Sequence, residues 1–126
     1  MKKILFVEDE SVLRKTLGDV LTQEGYEIIS AEDGEKGLEL SKTEKPDLIL
    51  LDLILPKMNG FEVLESLKKD EIVKDIPVIV LTNLEGSDGI SKVIELGASA
   101  YLVKAEYSLE ELIGKIKHAL GEETEE

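Results

Sequence analysis

The chain has 126 residues, of which 42% are hydrophobic and 34% charged, with a formal net charge of −13 and no cysteine. That is the size of one domain around one core, too apolar for wholesale disorder and without thiols for disulfides or thiolate metal sites. No apolar run approaches the roughly 20 residues of a membrane span, the charged start Met1–Asp9 has no signal-peptide features, and the acidity repels nucleic-acid phosphates, so a cytoplasmic protein with no membrane contact and no direct nucleic-acid binding is expected.

Lys3–Val7 is a short apolar run that reads as the first strand and ends in Glu8-Asp9-Glu10. Ser11 is a favourable N-cap, and Leu13, Leu17, Val20 and Leu21 recur at helical spacing until Gly25, the expected stop. Tyr26–Ala31 reads as a second strand. Asp33 caps a second helix that runs through Leu38 to about Thr43, with Pro46 beyond it. The run Leu48–Pro56 carries a single charged residue, Asp52. A stretch so short and apolar reads as a strand buried on both faces of a parallel sheet. Pro56–Gly60 is a loop, after which Phe61, Leu64 and Leu67 mark a third helix. Val78–Thr82 is the fourth strand, with Pro77 tolerated at its start. Asn83–Gly89 holds two glycines and is expected to be a mobile loop. Ile90, Val93 and Ile94 mark a fourth helix that Gly97 stops. Ser99–Val103 is a short fifth strand. Ser108 caps a fifth helix whose buried stripe is Leu109, Leu112, Ile113, Ile116 and Leu120. Residues 1–121 thus form the domain, and 122–126, without an apolar residue, form an acidic flexible tail.

Strands alternating with helices through short connections predict an α/β fold of three layers, a doubly wound five-stranded parallel sheet with right-handed crossovers. The flavodoxin-like strand order 2-1-3-4-5 is the usual solution for this count.

A carboxylate inside a buried strand is unfavourable unless paired, hydrogen-bonded or metal-bound. Asp52 therefore belongs at the C-terminal end of its strand, where open α/β sheets keep their crevice. Glu8 and Asp9 after the first strand, Thr82 at the end of the fourth and Lys104 after the fifth fall at that same end. Three carboxylates there repel one another, and a hard divalent cation with oxygen ligands relieves the repulsion. Mg²⁺ suits the place, because it needs only one or two carboxylates, a carbonyl and waters, and leaves room for a phosphoryl oxygen. Lys104 offers a point charge, and Thr82 a hydroxyl donor, to further phosphoryl oxygens. Asp52 is then a carboxylate nucleophile of the aspartyl-phosphate kind.

The acidic pair, Asp52 followed by Leu55-Pro56 and Gly60, then Thr82, then Lys104 with Tyr101 three residues before it, occur in this order and spacing. On these motifs the sequence resembles the response regulator receiver domains of two-component systems along residues 3–120. The resemblance implies that Asp9 binds Mg²⁺ directly, that Glu8 acts mostly through water, and that the Ile54 carbonyl completes the protein ligands beside Asp52. It implies that Asp52 takes its phosphoryl group from a sensor histidine kinase, and that Thr82 and Lys104 hold that group. It also implies a switch in which Thr82 moves toward the phosphate and Tyr101 turns inward. The face made by the fourth helix, fifth strand and fifth helix is thereby reshaped for a downstream protein target. No effector segment is seen after the fifth helix. The chain either acts alone, as chemotaxis-type regulators do, or is a receiver cut from a longer protein, and a monomer or weak dimer is expected.

Several residues depart from the family pattern. Ala105 replaces the usual proline after the lysine, so a trans Lys104–Ala105 bond and a re-routed loop are expected, a cis non-proline bond costing about 3 kcal/mol. Asn83 stands where a smaller residue is common and narrows access. Ile54 and Leu84 are apolar at two flanking positions and cannot orient an attacking water, so slow self-dephosphorylation is expected. No enzyme activity is expected beyond phosphorylation and dephosphorylation of the chain's own Asp52. A haloacid-dehalogenase-type Mg-dependent phosphatase uses the same nucleophile, but Ile54 occupies the place of its second aspartate. A flavodoxin-like cofactor binder needs a phosphate loop after the first strand, where this chain is acidic. His118 reads as an exposed residue near a helix C-terminus rather than as a ligand.

Overall fold

The computed structural model describes residues 2–83 and 87–122, with Ser87 and Asp88 as backbone alone. In chain order the elements are β1 (Lys3–Val7), α1 (Ser11–Gln23), β2 (Glu27–Ala31), α2 (Gly34–Glu44), β3 (Leu48–Leu51), α3 (Gly60–Lys69), β4 (Val78–Thr82), α4 (Ser87–Glu95), β5 (Ala100–Val103) and α5 (Leu109–Ala119). The strands form one parallel sheet in the order β2-β1-β3-β4-β5, the flavodoxin-like order expected from the alternation.

Every residue of β3 and β4 is buried, as a sheet covered on both faces requires. Successive residues of a strand face opposite sides, which divides the core in two. Leu5, Val7, Ile49, Leu51, Val78 and Val80 pack with Val63, Leu64 and Leu67 of α3 and Val93 of α4. Ile4, Phe6, Leu48, Leu50, Ile79 and Leu81 pack with Leu17 and Leu21 of α1 and Leu112 and Ile116 of α5. Burying each large side chain contributes about 1.5–3 kcal/mol, so the layered arrangement is held from both sides of the sheet.

Helix ends follow local chemistry. Asp33 caps α2 by accepting from the Lys36 N–H at 2.8 Å, and Ser108 caps α5 by accepting from the Glu111 N–H at 3.1 Å. Asn59 and Glu62 cap α3 reciprocally. Gly25 and Gly97 follow α1 and α4 with φ of 101° and 104°, a conformation glycine adopts without strain.

Four local expectations are corrected. Ser11 is the first helical residue rather than the N-cap. Glu10 holds the cap position and makes no side-chain cap bond; its N–H donates to the Glu8 carboxylate at 3.0 Å. Ser87–Gly89, expected in a loop, are the first residues of α4; Leu84 and residues 85–86 lie outside the described residues. Leu109 is 47% exposed, so the buried stripe of α5 begins at Leu112. Helical side chains lean toward the N-terminus, and at the first helical position no preceding turn lies beneath them. Glu122, assigned above to the tail, accepts from the Tyr26 hydroxyl at 2.9 Å, and its N–H donates to the Lys117 carbonyl at 2.7 Å; residues 123–126 lie outside the described residues. The Lys104–Ala105 peptide is trans. The chain then turns tightly, with the N–H groups of Glu106 and Tyr107 donating to the Val103 carbonyl at 2.9 and 3.2 Å.

Candidate functional site

One row of residues, Ala31, Val7, Leu51, Val80 and Tyr101, runs across the whole sheet in register. Just past that row lie the polar groups. Glu8 is the next residue on β1's path, and its N–H donates to the Ala31 carbonyl at 2.9 Å. Asp52 is the next on β3's path, and its N–H donates to the Val7 carbonyl at 3.1 Å. Thr82 ends β4 and pairs with Val103, so Lys104 comes one residue later, its N–H donating to the Thr82 carbonyl at 2.9 Å. The sheet itself therefore delivers these groups to one edge.

Burial there is severe. Glu8 and Thr82 are 0% exposed and Asp52 is 3% exposed. The Lys104 ammonium lies 2.9 Å from Asp52 Oδ2, 2.7 Å from Glu8 Oε1 and 3.9 Å from Glu10 Oε1. Its Asp52 contact is a hydrogen bond. Its Glu8 contact is an ion pair without hydrogen-bond alignment, which leaves Glu8 Oε1 a buried carboxylate oxygen with no hydrogen-bond donor. Burial pushes the Glu8 carboxyl above its ordinary range, outweighing the lysine beside it. Burial pulls the Lys104 ammonium down, but Glu8 and Asp52 outweigh that and leave it raised.

Asp9 is exposed and makes no hydrogen bond or ion pair among the described residues. One carboxylate oxygen from each of Glu8, Asp9 and Asp52 lies within 4.8 Å of the others. Three carboxylates against one ammonium leave a formal charge of 1 − 3 = −2 in a largely buried place. Oxygen donors alone and that charge deficit fit a divalent cation such as Mg²⁺, which binds few carboxylates and keeps some of its waters.

The loop after Asp52 turns back on it. The Ile54 N–H donates to Asp52 Oδ1 at 3.2 Å, and the Ile54 side chain stands 59% exposed beside it. The Gly60 N–H donates to the Leu53 carbonyl at 2.8 Å. A Cβ at Gly60 would lie 2.3 Å from Leu53 Cα and 2.5 Å from the Asp52 carbonyl oxygen, so α3 starts flush against the backbone of Asp52 only because residue 60 is glycine.

The sequence-derived candidates thus divide. Glu8, Asp9, Asp52 and Lys104 meet through their side chains, and Thr82 and Ile54 adjoin them through their elements. Tyr101 is half-buried three residues back along β5, packed against the α3–α4 side of the core. Asn83 lines a cleft of about 180 Å³ with Glu10, Leu13, Lys104, Ala105 and Tyr107. His118 is exposed on α5. Sequence reasoning passed over Tyr107, whose phenol burial pushes up. It also passed over Arg14, whose Nη1 donates to the Glu8 carbonyl at 2.7 Å. A signal for Arg14 existed, since it is the only arginine in the chain.

Residues 4–117 match the family described as the response regulator receiver domain. Over 120 residues the chain is 42% identical to the probable transcriptional regulator ycf27 of Porphyridium aerugineum, a match covering 94% of this chain and 48% of that one. Over 119 residues it is 39% identical to the phosphate regulon transcriptional regulatory protein PhoB of Pseudomonas aeruginosa, covering 94% and 52%. The chain therefore spans about half the length of these regulators. The solved structure of the response regulator protein TrrA from Thermotoga maritima, in complex with Mg²⁺-BeF, superimposes with a TM-score of 0.84 at 38% identity, covering 95% of this chain and 100% of that one.

Proposed function

The chain belongs to the response regulator receiver domain family, and from that premise we propose that Asp52 is its phosphoryl acceptor and the group whose state it reports. The observation that carries this reading is the Lys104 ammonium, 2.9 Å from a buried Asp52 that shares an acidic cluster with Glu8 and Asp9. Glu8, Asp9 and Asp52 would hold Mg²⁺ with the Ile54 carbonyl, and the ion would supply charge neutralisation for the incoming phosphoryl oxygens. An Asp52 oxygen attacks phosphorus, the bond from phosphorus to the donor's histidine nitrogen breaks, and an acyl phosphate results. Lys104 then leaves the carboxylate for a phosphoryl oxygen. Thr82 donates its hydroxyl to another, and Tyr101 moves inward along β5. Shifting a two-state equilibrium from mostly off to mostly on takes roughly 5 kcal/mol of differential affinity. Two or three charge-assisted hydrogen bonds, at about 1.5–3 kcal/mol each, supply it.

The same reading assigns a sensor histidine kinase as donor, the α4-β5-α5 face as the surface that meets a downstream protein, a cytoplasmic location, and residues 1–121 together with the docked Glu122 as the functional unit, monomeric or weakly dimeric. Among the described residues no helix is long and apolar enough to cross a membrane. The expectation of no nucleic-acid contact is confined to this acidic segment. The relatives are named as transcriptional regulators and are about twice its length, so DNA contact in a longer protein would fall to another segment. The haloacid-dehalogenase alternative is not supported: the matched family is the receiver, and exposed Ile54 holds the place of the required second acid. Because Ile54 cannot orient water, the acyl phosphate hydrolyses slowly.

Incubation with acetyl phosphate and Mg²⁺ followed by intact mass measurement tests the assignment. The wild type gains one phosphoryl group that persists, and Asp52→Ala gains none. Continuous phosphate release over many turnovers, or an equal gain in the variant, would overturn it.

A further inference from the structure

The three acidic residues that follow β1, Glu8, Asp9 and Glu10, make up the whole connection, which enters α1 without a side-chain cap. Glu8 is tied down at its N–H by Ala31, at Oε2 by the Glu10 N–H and at Oε1 by the Lys104 charge. None of these contacts touches the Glu8 carbonyl, which belongs to the peptide unit leading into Asp9. The Asp9 side chain has no partner of its own among the described residues. The direction of Asp9 therefore depends on that peptide plane. Arg14 reaches back over the first turn of α1, and its Nη1 donates to the Glu8 carbonyl at 2.7 Å, a short charge-assisted bond. The chain uses lysine at all its other basic positions and arginine only here. A planar guanidinium is pre-organised for such a bond, whereas a lysine presents a mobile point charge.

We propose that Arg14 is a positioning residue of the cation site: it fixes the Glu8–Asp9 peptide and so sets the spacing of the acidic ligands. The inference rests on the functional reading above and deepens it.

Charge and position make opposite demands here, which gives the test its sign. A guanidinium near a dication repels it, so removing Arg14 tightens Mg²⁺ if charge is all that matters. Removing it weakens Mg²⁺ if the peptide must be held. Groups that orient metal ligands are typically worth ten- to a hundredfold in metal affinity. Calorimetric titration of the folded chain with MgCl₂ reads this directly. Arg14→Met keeps the aliphatic stem and is expected to weaken Mg²⁺ binding about tenfold. Arg14→Lys, retaining one donor, falls between it and the wild type. Lys15→Met, on the exposed side of the same helical turn, leaves the affinity unchanged. Unchanged or tighter binding by Arg14→Met overturns the proposal, as does Arg14→Lys binding no better than Arg14→Met, or Lys15→Met weakening equally. Should Arg14→Met fail to fold, Arg14→Lys decides: weaker binding than wild type supports the proposal, and equal or tighter binding overturns it. A wild type that takes up no Mg²⁺ refutes the functional reading itself. A wild type that binds, with Arg14→Met binding as well, refutes only this step.

Discussion

A methyl group at residue 60 would occupy space already filled by the backbone of Leu53 and Asp52. Backbone cannot swing aside as a side chain can, so Gly60→Ala is expected to destabilise the fold by about 3 kcal/mol or more, read by denaturant unfolding. A loss under ~1 kcal/mol would mean that α3 has freedom to back away. Ile54 presents the reverse case. Its side chain stands 59% exposed at the rim of the site, so changing it leaves stability nearly untouched. Ile54→Asn places a hydrogen-bonding group where, in the proposed mechanism, water approaches an acyl phosphate on Asp52. The lifetime of the phosphorylated form, followed by mass, is expected to shorten several-fold. An unaltered lifetime would show that the rim does not govern hydrolysis.

Among the elements, α2 offers a clean electrostatic probe. The bond from the Lys36 N–H, helped by the Lys57 ammonium at 3.6 Å, holds the Asp33 carboxyl below its ordinary range. A depressed carboxylate contributes stability that is present above its unfolded value, near 3.9, and is lost as pH falls through the folded value. Asp33→Asn keeps the capping oxygen but not the charge. Its stability deficit should be full at neutral pH and disappear in acid, measured by thermal unfolding from roughly pH 2 to 6; a deficit that persists in acid contradicts this. The existence of every element was legible from apolar periodicity, because burial on two faces of a sheet writes itself into the strands. Boundaries were less so. Ser11 has the right chemistry for a cap, but the connection it would close is already committed to presenting Glu8, and Glu10 takes the position instead. Leu109 fits the stripe of α5 by spacing, yet spacing does not reveal that its turn has nothing beneath it.

For the molecule as a whole, the acidic edge sets three carboxylates against one ammonium, a repulsion that the proposed cation would relieve. Mg²⁺ at about a hundred times its dissociation constant should add about 2.7 kcal/mol of stability through mass action. That gain appears as a raised Tm in the wild type and is diminished in Asp9→Asn; equal gains would place the ion elsewhere. The gathering of Glu8, Asp52, Thr82 and Lys104 was readable because strand ends of a doubly wound sheet converge on one edge, without any contact being known. Arg14 was not readable in that way, since it acts on a carbonyl through a bond that no residue pattern encodes. At the opposite end of the sheet, Lys2, Asp47 and Glu122 line a common cleft of about 430 Å³, with Tyr26 bonded to Glu122. Asp47 and Asp52 bracket β3, so that cleft lies roughly 16 Å from Asp52 at about 3.3 Å per residue. A reporter dye or fused segment attached at either position 2 or position 122 starts too far away to touch Asp52, and would register the proposed phosphorylation only through rearrangement of the body between them.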